Sequence, residues 1–272
     1  MKRFIFLYLF FSPLLLAAQS DSMFQFDKLI KGEYTDFAVD NLNNIYLFSG
    51  SGQLKKLNPK GDSMAVYNDV RRYGKLHAID VSNPLKVLLH FKDFGTVVVL
   101  DRFLSKRGIV DLRRIGLYQV KAVAQAYDNG YWVFDEQESK IKHLNDAGEI
   151  IDQFTDFRLL FDSMPSPQTI VDQNRNLYLY DEKKGIYLFD YFGGFRKRVP
   201  YTGWKDFLVI NNQIFGRDNQ KLYRYDPQTL QLQEFEMNKS MAAAQKITIS
   251  PENIYVLSAQ GLVIYRIKTK GN

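Results

Sequence analysis

The sequence predicts an all-β fold, and three observations lead to this prediction. A pattern of about 42 residues repeats along the chain, each repeat contains four short strand-like segments, and one further strand-like segment precedes the first repeat. Repeats of this length with four strands are typical of the blades of a β-propeller. Since the pattern occurs six times, we expect a six-bladed β-propeller with four-stranded blades.

Each repeat is marked by an apolar or aromatic residue that follows its first turn. Successive markers are 42, 44, 46, 37 and 40 residues apart. The markers are Tyr46, Leu88, Trp132, Tyr178, Phe215 and Tyr255. Apolar runs flank short polar turns, as in NIYLFSGSGQLKKL, NLYLYDEKKGIYLFD and NIYVLSAQGLVIYR. Such runs predict β-hairpins, and we expect almost no helix beyond one turn near residues 158–163.

The last repeat ends without a fourth strand, and this absence is matched at the other end of the chain. Residues 23–30, MFQFDKLI, form a strand-like segment that belongs to no repeat. We predict that this segment is the outer strand of the sixth blade, because the closure leaves no open seam with an unpaired edge. A barrel or a sandwich is the alternative, which the six-fold period disfavours. The single domain is expected to span residues 23–269.

The first nineteen residues predict a secretory signal peptide. Two basic residues precede an apolar run of about 13 residues, and small residues follow it. This layout is typical of an export signal, and the run is shorter than the roughly 20 residues of a membrane-spanning helix. We expect cleavage after Ala18 or Gln19 and a periplasmic or secreted domain. An uncleaved membrane anchor is the alternative.

Composition narrows the classes of function. The chain has no Cys, so neither a disulfide nor a lipidated cysteine is available. Without Lys2 and Arg3 it carries 34 basic and 30 acidic residues, a net charge of +4. This mild excess does not indicate a nucleic-acid partner. We expect no further membrane-spanning segment and a domain that is monomeric by itself.

The repeats resemble the six-bladed propellers of the NHL and YWTD-like type. The matching phrase is Asp-x-x-x-Asn-[Ile/Leu]-Tyr-[Leu/Val], which occurs at residues 40–47 and 172–179. The strict Tyr-Trp-Thr-Asp and Trp-Asp signatures are absent. The export signal and the abundance of Asn, Lys and Tyr resemble envelope propellers of Bacteroidota.

The sharpest candidate for a metal site combines two of the three histidines. If residues 83–84 form a two-residue turn, His77 faces His90 across the first hairpin of blade 2, with Asp93 nearby. Two imidazoles and a carboxylate could bind a divalent metal ion. Packing within the blade is the alternative, since zinc sites usually have three or four protein ligands and a shift of the register by one residue would change the pairing.

A candidate partner-binding turn lies in blade 2, where the sequence reads DRFLSKRG. It places two apolar residues beside three basic ones. These are Arg102, Phe103, Leu104, Lys106 and Arg107. An exposed apolar tip beside positive charge is a candidate contact for an envelope protein or glycan. Alternatively, the basic residues protect the outer strands against pairing with other chains.

Two functions fit these features. The first is a non-enzymatic binding or scaffolding module in the cell envelope, without catalytic residues or a cofactor. The second is a propeller hydrolase or lactonase with a divalent metal ion on the central axis. Propeller lactonases of the gluconolactonase type hold calcium with inner-strand residues, and the inner strands of this chain offer Asp36, Asp80 and Asp206.

Overall fold

The computed structural model describes residues 23–268, in which six four-stranded antiparallel sheets follow one another around a central axis. The outer strand of blade 6 is β1 (Phe24–Lys31). Blade 1 contains β2 (Tyr34–Val39), β3 (Ile45–Ser49), β4 (Leu54–Leu57) and β5 (Ser63–Tyr67). Blade 2 contains β6 (Ala78–Asn83), β7 (Lys86–Phe91), β8 (Thr96–Asp101) and β9 (Lys106–Asp111). Blade 3 contains β10 (Val120–Gln125), β11 (Tyr131–Asp135), β12 (Lys140–Leu144) and β13 (Ile150–Gln153).

The remaining strands complete the ring. Blade 4 contains β14 (Thr169–Gln173), β15 (Asn176–Asp181), β16 (Gly185–Asp190) and β17 (Phe195–Val199). Blade 5 contains β18 (Lys205–Ile210), β19 (Gln213–Arg217), β20 (Lys221–Asp226) and β21 (Gln231–Glu236). Blade 6 contains β22 (Lys246–Ile249), β23 (Asn253–Ser258) and β24 (Gly261–Ile267), followed by β1 in space. Each innermost strand contacts the innermost strands of both neighbouring blades, so the ring is closed.

The predicted closure of blade 6 is confirmed. Strand β1 pairs antiparallel with β24, from Phe24 opposite Ile267 to Lys31 opposite Gly261. The amino-terminal segment therefore occupies the position that the fourth strand holds in the other blades. The ammonium group of Lys28 also donates to the carbonyl of Pro59 at 3.0 Å, which links the closing strand to blade 1. The signal peptide predicted for residues 1–19 lies outside the described residues.

The middle strands of a blade can be buried on both faces, because the neighbouring blades cover them. This explains their continuous apolar sequences. All five residues of β11 are buried. Trp132 and Phe134 pack in the core shared with blade 4, whereas Tyr131 and Val133 pack in the core shared with blade 2. Flat aromatic rings suit such sheet-on-sheet contacts. The packing of neighbouring blades thus supplies the core that a single blade lacks.

Aspartate and asparagine side chains hold the turns. The carboxylate of Asp190 accepts the backbone N–H groups of Phe192 at 2.9 Å and Gly194 at 2.8 Å. Buried Asp181 does the same for Lys183 at 2.8 Å in the turn after β15. Such local bonds satisfy the backbone where the strand ladder ends. The acids that recur at these turns are therefore turn formers, as the repeat pattern favours.

The ring has two faces, an upper one and a lower one. The upper face carries the turns between the first and second and between the third and fourth strands of each blade. The lower face carries the remaining turns and the connections between blades, which include two short helices, α1 (Phe157–Leu160) and α2 (Lys239–Ala242). Helix α1 falls close to the expected helical turn, and α2 was not expected. Among residues 23–268, no helix is long and apolar enough to cross a membrane.

Candidate functional site

The innermost strands of all six blades enclose an axial cavity of about 440 Å³. Most of its wall is apolar or small, as at Ala78, Ala122 and Ile170. Polar residues make up eleven of the 25 lining residues, and they include His77, Asp80, His90, Gln125, Asp206 and Lys246. The volume of the cavity lies within the range of small-ligand sites, whereas its wall is more polar than is usual for them.

The inner-strand acids connect blades and do not converge on a common point. The Asp80 carboxylate accepts the backbone N–H of Gln125 in blade 3 at 2.7 Å. Asp206 accepts the N–H of Ile247 in blade 6 at 2.7 Å. These bonds complete the contact between neighbouring inner strands, where no strand ladder exists. Within residues 23–268, no three His, Asp or Glu side chains are grouped so that they could hold a metal ion.

The ion pairs near the cavity also join blades. Lys246 lies 2.7 Å from Asp36 of blade 1 and donates to the carbonyl of Phe37 at 2.8 Å. Buried Arg217 lies 2.5 Å from Asp206 and donates to a blade 6 connection. The acids that a calcium-dependent lactonase would use are therefore occupied by protein partners, and these residues do not fit an axial calcium site.

The two histidines of blade 2 lie close together, with a register that differs from the assumed one. Ala78, and not His77, is paired with His90, and the N–H of His77 donates to the His90 carbonyl at 2.8 Å. The rings meet edge to face with centroids 5.4 Å apart. The assumed pairing was wrong by one residue, because the turn lies at residues 84–85, where Asn83 pairs with Lys86. This moves the register by two residues, and the bulge after Asp80 takes one of them back. Asp93 lies in an exposed 3₁₀ turn at residues 92–94.

The two imidazoles differ in environment. His77 is exposed at the lower end of the cavity, whereas His90 is only 2% exposed. Burial, together with the charges of His77 and Lys92, lowers the pKa of His90 to about 3. His90 is therefore neutral at physiological pH, with one ring nitrogen donating and the other accepting. Neither nitrogen has a hydrogen-bond partner within the described chain.

A second cavity of about 460 Å³ lies between blades 1 and 2 on the lower face. It shares His77 with the axial cavity, and the rest of its lining consists of Thr35, Asp36, Phe48, Lys75, Leu76 and three glycines. The glycines leave room because they have no side chain. The sequence did not indicate this groove, since its walls come from connections that are separated in the chain.

The predicted partner-binding turn of blade 2 is a rigid tip on the upper face. The carboxylate of Asp101 accepts the backbone N–H groups of Phe103 at 2.8 Å and Ser105 at 2.9 Å. The carbonyl of Arg102 accepts a hydrogen bond from the ammonium group of Lys56 in blade 1 at 3.0 Å. Both ends of the turn are thereby fixed before any partner arrives.

The side chains of this tip divide into exposed and buried ones. Phe103 is 60% exposed, and the guanidinium carbon of Arg102 lies 4.7 Å from the centroid of its ring. Lys106 and Arg107 are also exposed on β9. Leu104 is only 2% exposed, so its expected place at the exposed tip was wrong. The left-handed backbone of this residue, at a φ of 59°, directs its side chain into the core between blades 1 and 2.

An aromatic cluster lies between blades 3 and 4, and the sequence did not predict it. The rings of Tyr127 and Tyr191 stack with centroids 4.4 Å apart, and Tyr127 is exposed on the upper face. Asp172 accepts hydrogen bonds from the indole N–H of Trp132 at 2.7 Å and from the Tyr191 hydroxyl. Burial raises the pKa of Asp172 despite these donors. These residues come from separate segments of blades 3 and 4, so the cluster can be recognised only in the folded structure.

Comparisons with known proteins support the fold. No protein-family model matches the chain, and no curated protein matches it. A catalytically inactive virginiamycin B lyase from Staphylococcus aureus with quinupristin has a TM-score of 0.59 at 13% identity, covering 89% of this chain and 89% of the lyase. The Pan2 WD40 domain from Neurospora crassa has a TM-score of 0.62 at 10% identity, covering 89% and 91%.

A third similar structure comes from a bacterial surface. PorZ, a surface component of the type-IX secretion system of Porphyromonas gingivalis, has a TM-score of 0.55 at 13% identity. The match covers 90% of this chain and 32% of PorZ. At these identities the likeness shows the fold alone. Fold and geometry together define a six-bladed β-propeller with an axial cavity and a rigid aromatic tip on its upper face.

Proposed function

We propose that this chain is an exported propeller of the NHL and YWTD-like type that acts as a non-enzymatic binding module for an envelope protein. The observation that carries the proposal is the tip at residues 101–105. It presents an exposed phenylalanine with a guanidinium group over its ring, on a turn that hydrogen bonds already hold. Exposed aromatic and arginine side chains are the residues that dominate protein interfaces, and rigid turns lose little entropy on binding.

Other exposed residues of the upper face also support docking of a partner on this face. Exposed apolar side chains occur at the tips of turns in five blades. They are Leu42, Leu85, Phe103, Tyr127, Phe192 and Leu230. A rigid ring of this kind presents several contacts in one plane, as binding modules with loops on a fixed scaffold do. The basic residues beside Phe103 fit a partner with acidic groups around an apolar pocket.

The cellular setting rests on two features. The amino-terminal segment has the layout of a secretory signal. PorZ, a bacterial surface component, contains a propeller of similar fold. A hydrolase with an axial metal ion is less well supported, because the inner-strand acids already bind backbone and basic groups of neighbouring blades.

Site-specific photo-crosslinking in the native envelope tests this function. A photoreactive phenylalanine analogue is placed at position 103 on the upper face and, as the matched control, at position 159 on the lower face, where Leu159 is also exposed. We expect one envelope protein to crosslink from position 103 and not from position 159, and the product to disappear when Arg102 is changed to Ala. Equal crosslinking from both positions, or none from position 103, would contradict the proposal.

A further inference from the structure

Three neighbouring segments of the lower face carry most of the net positive charge of the chain. They are residues 68–77 between blades 1 and 2, residues 92–95 between β7 and β8, and residues 111–119 at the passage from blade 2 to blade 3. Together they contain six basic and three acidic residues, a net charge of +3. Without Lys2 and Arg3 the whole chain has a net charge of +4. The excess of positive charge is therefore concentrated on one part of one face.

The three segments are in direct contact and form one surface. A Cβ on Gly74 would lie 2.5 Å from the ring of Phe94, so this ring covers the backbone of the first segment. The backbone N–H of Leu112 donates to the carbonyl of Gly95 at 2.8 Å. The guanidinium group of Arg113 donates to a further carbonyl of the second segment at 2.5 Å. The backbone beneath the basic residues therefore holds them side by side.

Five cations of this surface are exposed and lack ion-pair partners. They are Arg72, Lys75, Lys92, Arg113 and Arg114. None of these five side chains forms an ion pair with any residue of the part of the chain that the structure describes. Elsewhere on the lower face a cation can be paired, as Arg158 is with Asp156 at 2.6 Å. The charge of the five cations is therefore available to an anionic partner.

Two large exposed rings lie on the same surface. Phe94 is 57% exposed and Tyr118 is 64% exposed. Aromatic side chains beside Lys and Arg are typical of proteins that lie at the boundary between the headgroups and the acyl chains of a bilayer. The groove of about 460 Å³ between blades 1 and 2 opens here too, because Lys75 lines it. A lipid headgroup that reaches this ammonium group therefore has room.

We propose that this surface, the basic patch at residues 68–77, 92–95 and 111–119, docks on a membrane that contains anionic lipids. Its positive charge attracts anionic headgroups, and its exposed rings enter the interface. A lipid surface suits the patch better than a folded acidic protein does. The cations are long side chains spread over three segments, and mobile headgroups rearrange to meet them. The patch and the upper-face tip lie on opposite faces, and neither proposal depends on the other.

The test compares two vesicles that differ in charge. The domain is purified without residues 1–19, whose apolar run would itself enter a bilayer, and its sedimentation with vesicles is measured. We expect it to sediment with equal parts of phosphatidylglycerol and phosphatidylcholine and to stay in solution with phosphatidylcholine alone. A rise in salt from about 0.01 M to about 1 M shortens the Debye length about tenfold and should release most of the bound protein. Equal binding to both vesicles, or none to the anionic ones, would overturn the proposal.

A charge variant and a matched control assign the binding to the patch. The patch variant combines Lys75→Gln, Lys92→Gln and Arg114→Gln. Each cation near an anionic surface contributes about fivefold in affinity, so the three changes should weaken vesicle binding roughly a hundredfold.

The control removes the same number of charges from exposed residues of the upper turns and the strand that follows one of them. It combines Lys60→Gln, Arg175→Gln and Arg196→Gln. We expect this control to bind anionic vesicles within about threefold of the wild type. An equal loss in both variants would assign the binding to the overall charge of the chain and contradict the patch.

The two rings provide a second readout that does not depend on charge. Phe94→Ala combined with Tyr118→Ala should weaken binding to anionic vesicles at least tenfold, because the apolar part of the contact is lost. Both side chains are exposed, so the variant should melt within a few degrees of the wild type in circular dichroism. Unchanged vesicle binding in this variant would contradict the insertion of the rings into the interface.

Discussion

Replacement of Gly261 by alanine tests the closure of the ring, because it adds a single carbon atom at the contact between β24 and β1. Gly261 begins β24 with a φ of +131°, and a Cβ at this position would lie 2.2 Å from the carbonyl oxygen of Ile30 in β1. The backbone conformation alone is expected to cost about 1–3 kcal/mol with a side chain present. Displacement of the end of β1 removes one or two hydrogen bonds at about 1 kcal/mol each.

The sum is about 2–5 kcal/mol, which corresponds to a fall in Tm of roughly 4–20 °C for a domain of this size. Thermal unfolding followed by circular dichroism measures it. Gly108→Ala on β9 is the control, because its Cβ meets no heavy atom within 4 Å, and it should change the free energy of unfolding by less than about 0.5 kcal/mol. Deletion of residues 23–30 should cost at least as much as Gly261→Ala. A Gly261→Ala protein that melts with the wild type would refute the closure.

Three further predictions concern buried groups. Lys142→Met should lower the free energy of unfolding in urea by about 3–5 kcal/mol, because it leaves the buried carboxylate of Asp135 without the ammonium group 2.8 Å away. Lys221→Met, which breaks a partly exposed pair with Glu234, should leave the free energy of unfolding nearly unchanged. Leu104→Ala should cost about 2–4 kcal/mol, whereas Phe103→Ala should stay within about 0.5 kcal/mol, and equal costs would contradict the inward direction of Leu104. Folding lowers the pKa of His90 from 6.5 to about 3. Below pH 6.5 the unfolded chain therefore binds a proton on this imidazole that the folded chain does not bind. The free energy of unfolding is thus highest above pH 6.5 and decreases as the pH falls toward 3. Between pH 7 and 5 the loss is about 2 kcal/mol, and urea titrations of His90→Leu should lack this part of the pH dependence.

The fold could be predicted because its information is local and repeated. Each blade needs the same four apolar runs and the same turn formers, so the period identifies the architecture and the number of blades. The closing strand could be predicted from the two ends of the repeat region. Residues 23–30 belonged to no repeat, and the last repeat lacked one strand.

The candidate sites could be predicted only in part, because they depend on atoms brought together across blades. The turn at residues 84–85, together with the bulge after Asp80, changed the pairing of the two histidines by one residue. The left-handed conformation at Leu104 turned an apparent surface residue into a core residue. Even a repeated phrase has two roles: Asp40 caps its own turn by accepting the N–H of Asn44 at 2.8 Å, whereas Asp172 binds Trp132 of the preceding blade.

The unsatisfied groups of the axial cavity carried no signal in the sequence. His90 and Gln125 lie in strands whose other residues are ordinary parts of the blades, and only the folded structure shows that their buried polar atoms have no hydrogen-bond partner among the described residues. The rigidity of the tip at residues 101–105 likewise depends on Lys56 in another blade.

The most direct test of the proposed function is the affinity of the purified domain for the envelope protein that crosslinks from position 103. Isothermal titration calorimetry of the wild type is compared with Phe103→Ala and with Leu159→Ala on the opposite face. We expect Phe103→Ala to raise the Kd at least tenfold, about 1.4 kcal/mol, with Leu159→Ala unchanged. An unchanged Kd for Phe103→Ala, or the same loss in both variants, would contradict docking through the upper-face tip.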